Sequence, residues 1–182
     1  MKVSEIKPNI LCLEYRQEKG DSDYGSCLWA RFMFNLDRYE LTITSDCGNY
    51  GYKWYETPST ESFLELMARC EPEYILYKLY GNEDVFDYEA TKKQIYDYWS
   101  EDKEDREKLD DIFQVVELYG CPDDASEFIR AFEDNNNDYD NVWELTVYRY
   151  PSDVLKVTQI FGEYIRPKIK EIVSTQKEES DE

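Results

Sequence analysis

The chain has 182 residues and a formal net charge of −20, from 41 Asp and Glu against 21 Lys and Arg, with no histidine. Hydrophobic residues make up 41% and aromatic residues 16%, which is enough apolar material for a core and excludes a chain disordered throughout. A field of this sign repels nucleic acid and anionic membranes and draws basic surfaces, and the missing histidine removes the commonest general base and zinc ligand.

From the N-terminus, MKVSEIKPN has no apolar stretch of the secretory kind, and no later run reaches the length of a membrane span. The five cysteines (Cys12, Cys27, Cys47, Cys70 and Cys121) are odd in number and form no C-x-x-C pair. That pattern fits buried free thiols in a reducing cytosol, so the expected location is the cytoplasm of a bacterial host.

Residues 9–16 read as a first strand, with Leu11, Leu13 and Tyr15 on one face. A polar turn with two glycines follows, then a second strand over 27–34 that is apolar on both faces apart from Arg31, which favours a central position. Residues 39–55 read as a hairpin. Leu41 and Ile43 alternate with threonines, Tyr50, Tyr52 and Trp54 alternate with Gly51 and Lys53, and Asp46-Cys47-Gly48-Asn49 supplies the turn. The first third is therefore an antiparallel meander of three to four strands.

At Thr57 the pattern changes. Thr57-Pro58-Ser59-Thr60-Glu61 carries helix-start signals, and Phe63, Leu66, Met67 and Cys70 recur at helical spacing until Glu71-Pro72. Further helices are expected over 74–80, closed by Gly81, over 87–99 with Asp87 as cap, and from a cap at Ser100 through the stripe Leu109, Ile112, Phe113, Val116. Another begins at Pro122-Asp123. Residues 133–141 form a polar loop and 142–150 lean towards a strand. A last helix opens at Pro151-Ser152-Asp153 and is ended or kinked by Pro167, and 174–182 is expected to be a disordered charged tail. The fold class is α+β, with an N-terminal antiparallel sheet packed by five or six helices in a single domain over 1–173.

Acidic residues dominate the candidate sites. In a continuous helix, Asp97, Glu101, Glu104 and Asp105 fall at i, i+4, i+7 and i+8 on one face. Such carboxylates are spaced by about 6 Å of rise, a spacing close to that of backbone phosphates, and could occupy a groove built for nucleic acid. The plainer reading is a solvated helix face, although −20 far exceeds what solubility needs. Asp134, Asn136, Asp138 and Asp140 imitate the start of an EF-hand loop, but Tyr139 stands where glycine is needed and Leu145 where a bidentate glutamate is needed, so the loop reads as surface. Cys47 has no histidine to activate it and reads as a turn or packing residue. Carboxylate pairs admit a metal-dependent hydrolase, against which stands the repulsion of an acidic chain for an anionic substrate. Of the 17 tyrosines and 4 tryptophans some must be core, while Tyr96, Tyr98, Tyr139 and Tyr148 among acids suit a protein-binding surface, against the plainer reading of ordinary core and rim packing.

SDCGNYGYKW (45–54), ESFLELMARC (61–70) and IFGEYIRPKI (160–169) resemble a pattern of small proteins from phages and prophages of Gram-positive bacteria. The chain is similar in size and charge to the anti-CRISPR inhibitors of the type II-A effector nuclease within that group. This resemblance implies a host-defence inhibitor that binds rather than catalyses, needs no cofactor, and targets the guide-RNA-loaded effector. It assigns no interface residue. The alternatives are an acidic protein acting on another basic nucleic-acid-binding factor and the hydrolase.

Overall fold

The computed structural model describes residues 3, 5–55, 61–118, 120, 122–136 and 138–180. The helix-start signals at 57–60 and Cys121 lie outside the described residues. The chain packs as two compact units, one of residues 1–82 and 152–182 and the other of residues 83–151.

The first unit opens with the expected antiparallel meander: β1 (Ile10–Arg16), β2 (Trp29–Asn35), β3 (Glu40–Ser45) and β4 (Gly48–Lys53), in spatial order β1-β2-β3-β4. β2 is central, as its two-faced apolarity requires. The hairpin register places Tyr52 opposite Leu41 and Tyr50 opposite Ile43, so the ring row pairs with the aliphatic row. The turn is tighter than the sequence suggests, because Ser45 pairs directly with Gly48 and leaves Asp46-Cys47 as the two turn residues. One sheet face is buried through Ala30, Phe32, Phe34, Leu41 and Ile43, while Arg31 on the other face pairs with Glu14 at 2.8 Å.

Helices cover the buried face. α1 (Phe63–Arg69) begins at a capping box, in which Ser62 Oγ accepts from Glu65 N and the Glu65 carboxylate accepts from Ser62 N at 2.9 Å. α2 (Pro72–Tyr80) carries its proline in the first turn and ends at Gly81. The final helix is continuous: α6 (Ser152–Ile160), a π turn (Phe161–Ile165) and α7 (Arg166–Ser180). Pro167 neither ends nor sharply breaks it. The preceding π turn, in which Arg166 N donates to Phe161 O, shifts the hydrogen-bond register just ahead of the residue that lacks an N–H. The segment from 174 to 180 is helical rather than disordered, and Lys177 on it binds Glu65 at 2.7 Å. Phe63, Met67, Ile75, Phe161, Ile165 and Ile169 join the sheet residues in one core. Of the thiols, Cys27, Cys47 and Cys70 are buried as expected, but Cys12 on the open sheet face is exposed.

The second unit contains β5 (Val85–Phe86), α3 (Tyr88–Trp99), α4 (Lys103–Val116), α5 (Ala125–Asp134) and β6 (Tyr148–Arg149), with β5 and β6 antiparallel. Its core is aromatic: Phe113, Phe128 and Phe132 pack together and against Tyr88 and Trp99. The expected strand over 142–150 is only partly present. Val142–Leu145 is a 3₁₀ turn that buries Val142 and Leu145, and the strand shrinks to Tyr148–Arg149. Asn141 enters that turn at φ 62°, a conformation that breaks extended backbone and that Asn tolerates.

Candidate partner-binding surface

Charge is unevenly divided. Residues 83–151 contain 21 Asp and Glu against 7 Lys and Arg, a net −14, whereas the other 113 residues contain 20 against 14, a net −6. Even if each basic side chain of the second unit neutralised one acid, 14 carboxylates there would remain uncompensated.

The acidic row of the sequence reading is not built as a single face. Helical geometry stops at Ser100 (φ −90°, ψ 73°), and Asp102, two residues beyond the expected cap, starts α4. Its Oδ1 accepts from Glu104 N at 2.8 Å and Asp105 N at 3.0 Å, bonds that compete with a continuous helix. Asp97 therefore lies in the last turn of α3, Glu101 in the connector, and Glu104 and Asp105 in the first turn of α4, where carboxylates favour the helix dipole.

Tertiary packing instead joins that connector to the distant Asn/Asp loop. Tyr139 stacks on Trp99 with ring centroids 5.0 Å apart, and its hydroxyl donates to Asp105 O at 3.4 Å. Burial raises the Tyr139 phenol, and the charges of Asp105 and Asp138 reinforce the shift. Lys108 ties the group together. It binds Glu104 at 3.1 Å, and that bond first, then the fields of Glu104, Asp138 and Asp105, hold its ammonium more basic than usual. Glu104, Asp105, Asp138 and Tyr139, 35 residues apart at the extremes, thus form one acidic cluster. The loop closes on Asn136, whose Oδ1 accepts from Asp138 N at 2.8 Å and Tyr139 N at 2.9 Å and whose amide donates to Tyr139 O.

The remaining candidates divide. Tyr96 is a packing residue, stacked on Phe113 at 5.3 Å with its hydroxyl donating to Asp110 at 2.5 Å. Burial and that bond push its phenol upward. Tyr98 is 67% exposed beside Asp97, which suits an aromatic anchor. Asp134 is the exposed last residue of α5, and Asp140 is exposed at the end of the loop. The sequence reading missed Leu118 (65% exposed) and Trp143 (56% exposed). Leu118 could have been found as an apolar residue beyond the α4 stripe, whereas Trp143 was hidden by the strand assignment.

Some acids of this unit are spent internally. Glu117 accepts from Lys92 at 2.5 Å and from Tyr88 at 2.6 Å, which lowers its pKa, and Asp87 caps α3 while facing Arg149 at 3.4 Å. Among the described residues, no three carboxylates of the unit bring ligand atoms within 4.8 Å of one another. Among the described residues, the metal-ligating trio that comes so close is Cys27, Asp46 and Cys47 in the first unit.

The chain matches the model of a phage protein family, the phage phiTE_072 family, over residues 1–171, and it belongs to that family. No curated protein and no solved structure matches it. No helix among the described residues is long and apolar enough to cross a membrane.

Proposed function

We propose that this phage protein is an inhibitor that acts by binding, with its acidic unit docked on a basic nucleic-acid-binding protein of the host, and that the target is the guide-RNA-loaded type II-A CRISPR effector nuclease. The observation that carries the reading is the net −14 packed into residues 83–151. Effectors of that type hold nucleic acid in positively charged channels and read a short duplex motif with arginines. The cluster of Glu104, Asp105 and Asp138, with Asp97, Glu101 and exposed Tyr98 nearby in sequence, offers such a channel anions and an aromatic anchor in place of DNA. Occupation of the channel would block target binding or cleavage with no catalytic step and no cofactor, and the same charge disfavours direct binding to nucleic acid. The choice of a type II-A effector rests on the resemblance of three sequence segments, and membership of a phage family supports the phage origin that it requires.

Pull-down with a panel of guide-loaded type II effectors, together with DNA-cleavage assays, tests this. The expected result is capture of at least one effector and loss of its cleavage. A panel that shows neither overturns the assignment. Affinity purification from infected cells then asks whether a different basic factor meets the same surface.

A further inference from the structure

The first unit holds a side-chain group outside the proposed partner-binding surface. Cys27 lies just before β2, and Asp46 and Cys47 form the turn between β3 and β4. Their two Sγ atoms and a carboxylate oxygen lie within 4.8 Å of one another. Strand register assembles them, since Asp46 N donates to Trp29 O at 3.4 Å and so extends the β2–β3 ladder beyond the Ala30–Ser45 pair. The carboxylate is oriented by Leu28 N at 2.9 Å and Trp29 N at 3.3 Å, and its Oδ1 also accepts the Cys27 thiol at 3.3 Å. The Cys47 thiol donates to Ser26 O at 3.1 Å. Both cysteines are buried, while Asp46 is exposed.

We propose that Cys27, Cys47 and Asp46 form a binding site for a thiophilic divalent cation of the zinc class. Tetrahedral zinc, with sulfur at about 2.3 Å and carboxylate oxygen at about 2.0 Å, holds its ligand atoms roughly 3.5 to 3.8 Å apart. Cys27 Sγ already lies 3.3 Å from Asp46 Oδ1, and the remaining pairs have to contract by no more than about 1.3 Å. The two N–H groups behind Asp46 supply the outer-shell support that orients a ligating carboxylate. On binding, the two S–H protons leave to solvent, two metal–sulfur bonds and one metal–oxygen bond form, and nothing is oxidised or reduced. The fourth position falls to water reached from the exposed Asp46 side. Asp153 adds negative potential at Cys47, and Lys156, the opposing cation, is engaged by Asp23. The bound ion would fasten the connection before β2 to the hairpin tip, so that binding adds to the stability of this unit.

The test titrates the reduced, metal-free full chain with Zn²⁺ and with Cd²⁺. The expected result is one ion per chain, a thiolate-to-cadmium charge-transfer band, release of two protons per ion at neutral pH, and a higher Tm. Cys27→Ser and Cys47→Ser should each lose tight binding, Asp46→Asn should weaken it by about tenfold or more, and Cys12→Ser and Cys70→Ser should leave it unchanged. Absence of the band, binding without proton release, or full affinity in the Cys27→Ser/Cys47→Ser double variant overturns the proposal. Should a serine variant fail to fold, the band and the proton count on the unaltered chain decide.

Discussion

Gly48 opens β4 at φ 105°, a backbone region that disfavours any side chain with a Cβ. A Cβ there would also lie 2.9 Å from the Tyr50 hydroxyl, which donates to Cys47 O at 2.9 Å and braces the turn. Gly48→Ala is expected to cost about 1 to 2 kcal/mol, read as a lower urea midpoint at unchanged slope. Glu65 makes a pH-dependent contribution. The Lys177 ammonium, followed by the N–H and hydroxyl of Ser62, holds its carboxyl down at about 2 from an ordinary 4.5. Because the folded value is the lower one, its contribution is complete above pH 4.5 and is lost as pH falls towards 2. Stability curves of the native chain and Glu65→Gln should therefore be apart at neutral pH and converge near pH 2. Parallel curves across that window would show that Glu65 is no more than a capping acceptor.

At the scale of elements, the α3–α4 break decides how the acidic surface is built. Asp102 holds two of the α4 N–H groups, and Ser100 makes no such side-chain cap. Asp102→Ala should cost about 1 kcal/mol in chemical denaturation, while Ser100→Ala should cost a few tenths at most. The reverse order would mean that α4 starts where the sequence alone put it. Periodicity marked both helices correctly, because apolar spacing is local. It could not choose between two capping residues two positions apart, since that choice depends on where Leu109, Ile112, Phe113 and Val116 must sit against Phe128 and Phe132. The final helix teaches the same lesson. Pro167 is a strong local break signal, and the chain absorbs it in a π turn because Phe161, Ile165 and Ile169 all reach the core.

For the molecule as a whole, the separation of charge between the units yields the sharpest functional expectation. Converting eight acids of residues 83–151, including exposed Asp97, Glu101, Glu104 and Asp138 and half-buried Asp105, to their amides should slow association with a basic partner and flatten its salt dependence. The same number of amides among residues 1–82 and 152–182 should change the association rate far less. Stopped-flow or surface-binding kinetics at two ionic strengths distinguish them. Equal effects would mean that total charge, rather than the acidic unit, governs binding.

Composition and short-range pattern alone determined the α+β class, the central place of β2, the hairpin pairing of rings with aliphatics, most helices and the excess of negative charge. These depend on periods of two and 3.6 residues and on simple counting. Tertiary structure alone decided that Asp138 and Tyr139 meet Asp105, that Lys177 of α7 reaches Glu65, and that Cys27 comes to lie against Asp46 and Cys47. Each of these joins residues 19 to 112 positions apart, and only strand register and core packing, which no local pattern encodes, fix such meetings in space.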